Sequence, residues 1–287
     1  METTVQLDPA AQKLFIFDEV YTAPASQEQA DRKKLDAFGK LHRFNPVNRP
    51  KPGTVSLNKW ERRYEPFWYV SARREVDYIH EAVYQVAVSN SHTLKINIEG
   101  RDYDVSHAGG KPHIDLPLRE ICHRKIDVSL YQNGVKRDIK SSVFQNYIGK
   151  YKATEKEELD CPEAVINQMP LAAVIQIVKS KLATETIEAH QVTIDKIVFD
   201  KVFLYYRPVY AFEFTWATSS ANSKAGVIEI DALTGDVIEE GEWLKEKVGR
   251  VATKENLFEI GVDVVSSVSP PAGIAIKIIG KIMEQKK

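Results

Sequence analysis

The chain predicts an α+β fold: a predominantly antiparallel β body in two units, the second built as a helix plus hairpin, with a C-terminal helical tail. Three patterns predict it. Aromatic and β-branched residues crowd and alternate between Val55 and Ala153. After Pro162 the apolar residues recur at spacings of three and four, as on a helix, and from Ile194 alternation returns. Past residue 246 an apolar helical face closes the chain. The expected organisation is an N-terminal arm and Pro-rich connector (1–54), a β-rich domain (55–153), an α+β domain (154–245) and an amphipathic helical tail (246–287).

Composition narrows the function classes. The 287 residues suffice for two ordinary domains, and 43% hydrophobic with 28% charged residues suits a globular chain. With 39 basic against 40 acidic side chains, no global electrostatic grip on nucleic acid is expected. Two cysteines, Cys122 and Cys161, build no disulfide framework and suit a reducing compartment. The first residues carry neither a basic nor an apolar leader segment, so the chain reads as cytoplasmic.

Taken in order, the apolar cluster Leu14, Phe15, Ile16, Phe17 and Val20 reads as a first strand or docking arm. A polar stretch, Thr22–Lys34, follows, and the prolines at 46, 50 and 52 with Gly53 read as an extended connector. Trp60–Val88 is strand chemistry. Leu94, Ile96 and Ile98 alternate up to Glu99-Gly100, and Tyr103 and Val105 alternate beyond it, which reads as a hairpin. Ile126, Val128 and Leu130 lead to Asn133-Gly134, a pair favoured in tight hairpin turns, so a second hairpin is expected there. The charged run Lys150–Asp160 marks the domain boundary. The helix that follows carries Val165, Ile166, Met169, Ala173, Ile177 and Leu182, and Pro170 should kink or divide it. Tyr64-Glu-Pro66-Phe-Trp68 and Tyr206-Arg-Pro208-Val-Tyr210 echo one another. Proline is confined to sheet edges and strand starts, so both should mark the beginning of a strand.

Arg207 to Trp216, a loop, Gly226 to Ile230 and the turn Asp231-Ala-Leu-Thr-Gly235 before Val237 resemble the PepSY-type module. In that module a helix precedes a β-hairpin whose second strand runs into an Asp-x-x-Thr-Gly-x-Val turn. The resemblance spans residues 163–240 or so. It implies a small binding or regulatory module, not an enzyme, with Asp231 capping the turn and Gly235 in the left-handed conformation. PepSY modules occur mostly outside the cytoplasm or at membranes, often beside peptidases; the missing leader argues against a peptidase-inhibitor role.

Catalytic and metal constellations fail on spacing. His107, His113 and Cys122-His123 supply nitrogen and sulfur, yet no pair has the spacing of a zinc site, and adjacent strand residues point to opposite faces. Nucleophile elbow, phosphate loop and dinucleotide fingerprint are all missing. No cofactor, metal, catalytic residue or small-molecule substrate is therefore expected, and an unrecognised hydrolase or metal enzyme is the outlying alternative. Lys40–Arg74 is locally basic, with nine cations against two acids, and Phe44, Trp60, Tyr64, Phe67, Trp68 and Tyr69 interleave. Cations on phosphates and aromatics on bases make a single-strand binder, so Lys59, Arg62, Arg63, Arg73 and Arg74 form a candidate nucleic-acid patch.

The tail carries the clearest pattern. Leu257, Val264, Val265 and Val268 share one helical face, Pro270-Pro271 interrupts, and Ile274, Ile278 and Ile282 follow with Lys277 and Lys281 at i and i+4. Its longest uncharged stretch, 264–276, falls short of the roughly 20 apolar residues of a span. The tail either packs on its own body, docks to a protein partner or a second copy, or lies on an anionic membrane surface. The leading functional expectation is a non-enzymatic adaptor, scaffold or accessory protein that joins a larger assembly or membrane surface through this tail.

Overall fold

Period-two patterning becomes strand throughout. In the computed structural model, which describes residues 3–39, 49–135, 137–218, 223–238, 244, 246–249 and 251–259, the fold is α+β. Chain order runs β1 (Thr4–Leu7), β2 (Gln12–Phe17), α1 (Ala23–Lys33), β3 (Val55–Ala87), β4 (Lys95–Ile98), β5 (Arg101–Asp104), β6 (His113–Asn133) and α2 (Ser141–Lys150). Then follow β7 (Ala153–Lys156), β8 (Glu158–Leu159), α3 (Leu171–Ala183), β9 (Gln191–Ala217), β10 (Ser223–Asp231), β11 (Val237–Ile238), β12 (Ala252–Thr253) and α4 (Lys254–Leu257).

The long strand β9 organises the sheet. On one side it pairs antiparallel with β3, from Val55↔Trp216 to Ile79↔Gln191. Its other side is shared end to end by β10, antiparallel, and by β2 and β1, both parallel. Beyond β3 lies β6, paired from Phe67↔Asn133 to Ala87↔His113. The expected boundary between residues 153 and 154 falls within β7, which pairs with β2 in this same sheet.

Helices cover both faces of the proximal sheet. On one face α3 buries Leu171, Val174, Ile175, Val178 and Leu182 against Trp68, Val70, Val202 and Leu204. Full burial of each such side chain contributes about 1.5–3 kcal/mol. On the opposite face α2 sets Phe144 and Tyr147 against Phe17, Phe67 and Tyr205, with Phe67 and Phe144 rings stacked at 4.4 Å.

Several expectations meet their elements. The cluster at 14–17 is strand β2. The Glu99-Gly100 turn has both residues at positive φ, 46° and 86°, as the tightest hairpins require. Gly235 has φ 78°, and Asp231 Oδ1 accepts from the Leu233 and Thr234 amides at 2.8 and 3.3 Å. The order of α3, the β9–β10 hairpin and this turn matches the expected helix, hairpin and turn.

Others are corrected. The polar stretch Thr22–Lys34, assigned no element from the sequence, contains helix α1; its buried side chains are the small Ser26 and Ala30, so no apolar period shows. Asn133-Gly134 opens no hairpin: β6 ends there and α2 follows. Gly134 is needed for close approach instead, since an added Cβ would lie 2.7 Å from the Pro66 carbonyl oxygen. The helix after Pro162 is not kinked at Pro170. It begins after it, with Pro170 extended at φ −64°, ψ 151° in the capping position.

The echoed motifs are corrected most instructively. Neither starts a strand: they lie mid-strand and pair with each other, Tyr64↔Pro208, Glu65↔Arg207 and Pro66↔Tyr206, about a local two-fold axis. Pro66 sits one residue before β6 joins at Phe67, and Pro208 sits between the last β2 pair at Tyr206 and the first β10 pair at Val209. Each missing N–H thus falls in a gap of the outer ladder.

Candidate functional site

Charged residues within the apolar strands make the densest polar cluster. Arg63 and Glu65 on β3, Arg207 on β9, and Glu229 and Asp231 on β10 are all buried, and Arg137, after β6, reaches in beside them. Arg207 bridges Glu65 at 2.8 Å and Asp231 at 2.6 Å. Arg63 bridges Glu65 at 2.8 Å and Glu229 at 2.6 Å, and Arg137 makes a two-pronged pair with Glu229 at 2.6 and 2.9 Å. Tyr147 of α2 donates its hydroxyl to Asp231.

Three guanidiniums thus face three carboxylates, and each carboxylate oxygen accepts at least one hydrogen bond. Burial opposes ionisation of Glu65, but Arg207, Arg63 and Arg137 outweigh it and hold its carboxyl below the usual range. Burial raises the Tyr147 phenol well above its ordinary value, so it stays a neutral donor. A balanced, hydrogen-bonded cluster fastens β3, β9, β10 and α2 together; it has the form of a structural network.

The candidate nucleic-acid patch does not assemble. Arg63 is fully buried in this cluster and meets no phosphate. Arg62 pairs with Glu163 at 3.0 Å, Arg74 with Asp195 at 2.8 Å and Lys59 with Glu213 at 3.4 Å, while Arg73 pairs with Glu75 and Asp200. These five cations are met by acids of this same chain, most of them from distant segments. Trp68 and Phe67 are core residues.

The histidine–cysteine constellation is also dispersed. Cys122 faces Tyr78 and His113 faces Ala87, on opposite sides of one ribbon and about 30 Å apart along the strand. His107 is exposed in the loop beyond. Among the described residues no group of three or more potential ligands is placed to hold a metal ion.

Of the tail, Leu257 lies in α4 and packs on the core beside Phe258, whose ring meets Trp68 edge-on at 5.4 Å. Residues Val264, Val265, Val268, Ile274, Lys277, Ile278, Lys281 and Ile282 lie outside the described residues. Among the described residues no helix is long and apolar enough to cross a membrane.

What the sequence reading missed is the ribbon. Past Ile79↔Gln191, where β9 begins, β3 and β6 continue as a two-stranded antiparallel ribbon to Ala87↔His113, tipped by the β4–β5 hairpin. Opposed residues share a face. One face carries Tyr78/Cys122, His80/Glu120, Ala82/Leu118 and Tyr84/Leu116; the other carries Asp77/His123, Ile79/Ile121, Glu81/Arg119 and Val83/Pro117. At its base the first face borders a recess of about 420 Å³ shared with Arg124, Thr186 and Glu188. Arg124 closes one side of it through Glu185 at 2.8 Å.

Large apolar side chains stand in solvent along the ribbon: Ile121 is 91% exposed, Val83 65% and Tyr84 47%. A two-stranded ribbon is marginal by itself in water. Here the ladder is anchored on the core by its continuation into the proximal sheet. The signal in the sequence was the length of β6, a run of 21 strand residues. Comparison with protein-family models, curated proteins and solved structures gives no match for this chain.

Proposed function

We propose that this chain is a non-enzymatic adaptor or accessory protein that joins a larger assembly, with the projecting β3–β6 ribbon as a docking element. The observation that carries this reading is the exposure of Ile121 and Val83 on one face, and of Tyr84 on the other, of a ribbon that continues past the end of β9. Large apolar side chains held in solvent among charges are a feature of protein-binding surfaces. The apolar residues beyond 259 are a second docking element in this proposal. A helix, hairpin and Asp-Thr-Gly turn in PepSY-like order supports a binding module over an enzyme. The free thiols Cys122 and Cys161 support a reducing, cytoplasmic setting.

The test compares three forms recovered from the native source: the full chain, one ending at Glu259, and one in which Ala82–Leu118 is replaced by Asn-Gly. The expected result is a folded shortened-ribbon form that loses a stoichiometric partner retained by the full chain. Retention of every partner by the shortened form removes the ribbon from the proposal. The cut belongs after Glu259 because removing Phe258 would bare Trp68.

A further inference from the structure

The bare face of the ribbon is patterned in columns. On β3 the successive outward residues are Glu75, Asp77, Ile79, Glu81 and Val83 once the intervening inward positions are skipped, with only Asp77 and Glu75 adjacent in sign. Opposite them on β6 stand Lys125, His123, Ile121, Arg119 and Pro117. One column carries the acids Glu75, Asp77 and Glu81, its neighbour the cations Lys125 and Arg119, and the centre row of both is isoleucine. Within the chain the columns already meet: His123 lies 2.6 Å from Asp77, and Arg119 lies 3.3 Å from Glu81. Ile194 of β9, 44% exposed, extends the apolar centre sideways in the Asp77 row.

We propose that this face packs against the same face of a second copy of the chain, about a two-fold axis running parallel to the strands between β3 and β6. Rotation about that axis exchanges the columns. The acidic β3 column of one copy then lies over the basic β6 column of the other: Glu81 over Arg119, Asp77 over His123, Glu75 over Lys125. In the centre Ile79 lies over Ile121, and Val83 over Pro117. A two-fold axis across the strands would set Glu81 over Asp77, bringing two carboxylates together, so the charge pattern selects one orientation. Two sheet faces pack about 10 Å apart with strands nearly aligned, which lets the isoleucines interdigitate while the charged rows form the rim. The interface is isologous, as in most homodimers.

The inference rests on the docking role proposed for the ribbon and names the partner of one of its faces. Sedimentation equilibrium on the full chain tests it, with circular dichroism as the check on folding. The native chain is expected to be a dimer. Ile121→Glu should weaken it by about thirtyfold or more, because a carboxylate enters the apolar centre. Glu81→Lys and Arg119→Glu should each weaken it, and the double variant Glu81→Lys/Arg119→Glu should recover dimerisation, since reversing both columns restores opposite signs across the axis. A native chain that is monomeric at about 100 μM overturns the inference. So does a folded Ile121→Glu chain that dimerises like the native one, or a double variant no better than its singles. A monomeric native chain whose shortened-ribbon form still loses a partner overturns the second-copy inference and leaves the docking role standing.

Discussion

Leu130 and Ile121 lie nine residues apart on β6, each opposite an aliphatic residue of β3, Val70 and Ile79 respectively. Leu130 is 5% exposed beneath α3, and Ile121 is 91% exposed. The hydrogen-bond ladder between β3 and β6 continues through both positions without a register shift. Pairing and burial are therefore separable in this molecule. The proximal half of the ribbon is held by packing on both faces and by a buried ion network; the distal half is held by its ladder and by continuity with the proximal half. Stability should reside in the first and recognition in the second.

The largest effect should come from the buried network. Glu65→Ala leaves the Arg63 and Arg207 guanidiniums in the interior without that carboxylate, and should cost about 3–5 kcal/mol in denaturant unfolding. Leu130→Ala removes a packed side chain and should cost about 2–5 kcal/mol, whereas Ile121→Ala, measured at concentrations where the chain is monomeric, should stay within about 0.5 kcal/mol. Equal losses at the two positions would break the comparison. Gly226→Ala places a Cβ 2.4 Å from the Ala37 carbonyl oxygen and should cost about 1–3 kcal/mol, read in the same way.

Acid should act through the proximal region, where β9 still flanks β3. The Glu65 carboxyl is depressed despite burial. Hydrogen bonds from Lys196 and Arg73 hold Glu75 at about 2, and Arg74 depresses Asp195. Folded values below the unfolded ones mean that this stabilisation is complete above the ordinary carboxylate range, about pH 4, and is lost as pH falls towards about 2. Unfolding midpoints measured down that range should fall steadily in the native chain. Replacing Glu75, on the open face, by Gln should remove only the part of the slope that Glu75 supplies.

Local rules made much of the fold readable. The Glu99-Gly100 hairpin and the Asp231–Gly235 turn follow from residues that tolerate positive φ or cap their own backbone, and both occur where those residues stand. Leu171–Leu182 shows its helical period because one face packs on a wide apolar sheet. Helix α1 stayed hidden because small residues make its contacts, and Asn133-Gly134 misled because Gly134 answers a tertiary approach by Pro66, not a turn. At the candidate site the cations of the basic stretch were visible, but not their partners. Arg74 and Asp195 lie 121 residues apart, and Arg207 and Glu65 lie 142 apart.

The sequence by itself determined the α+β class, the strand and helix periods and the chemistry of the turns, because each depends on residues within a few positions of one another. Only the tertiary structure decided that the two Tyr-x-Pro motifs pair about Glu65 and Arg207, that the cations of 59–74 are neutralised, and that β3 and β6 outrun β9. These depend on which distant strand lies alongside and where it ends. Alternation along one strand marks two faces, but a neighbouring element must arrive before either face is buried, and on the distal ribbon none among the described residues covers Ile121.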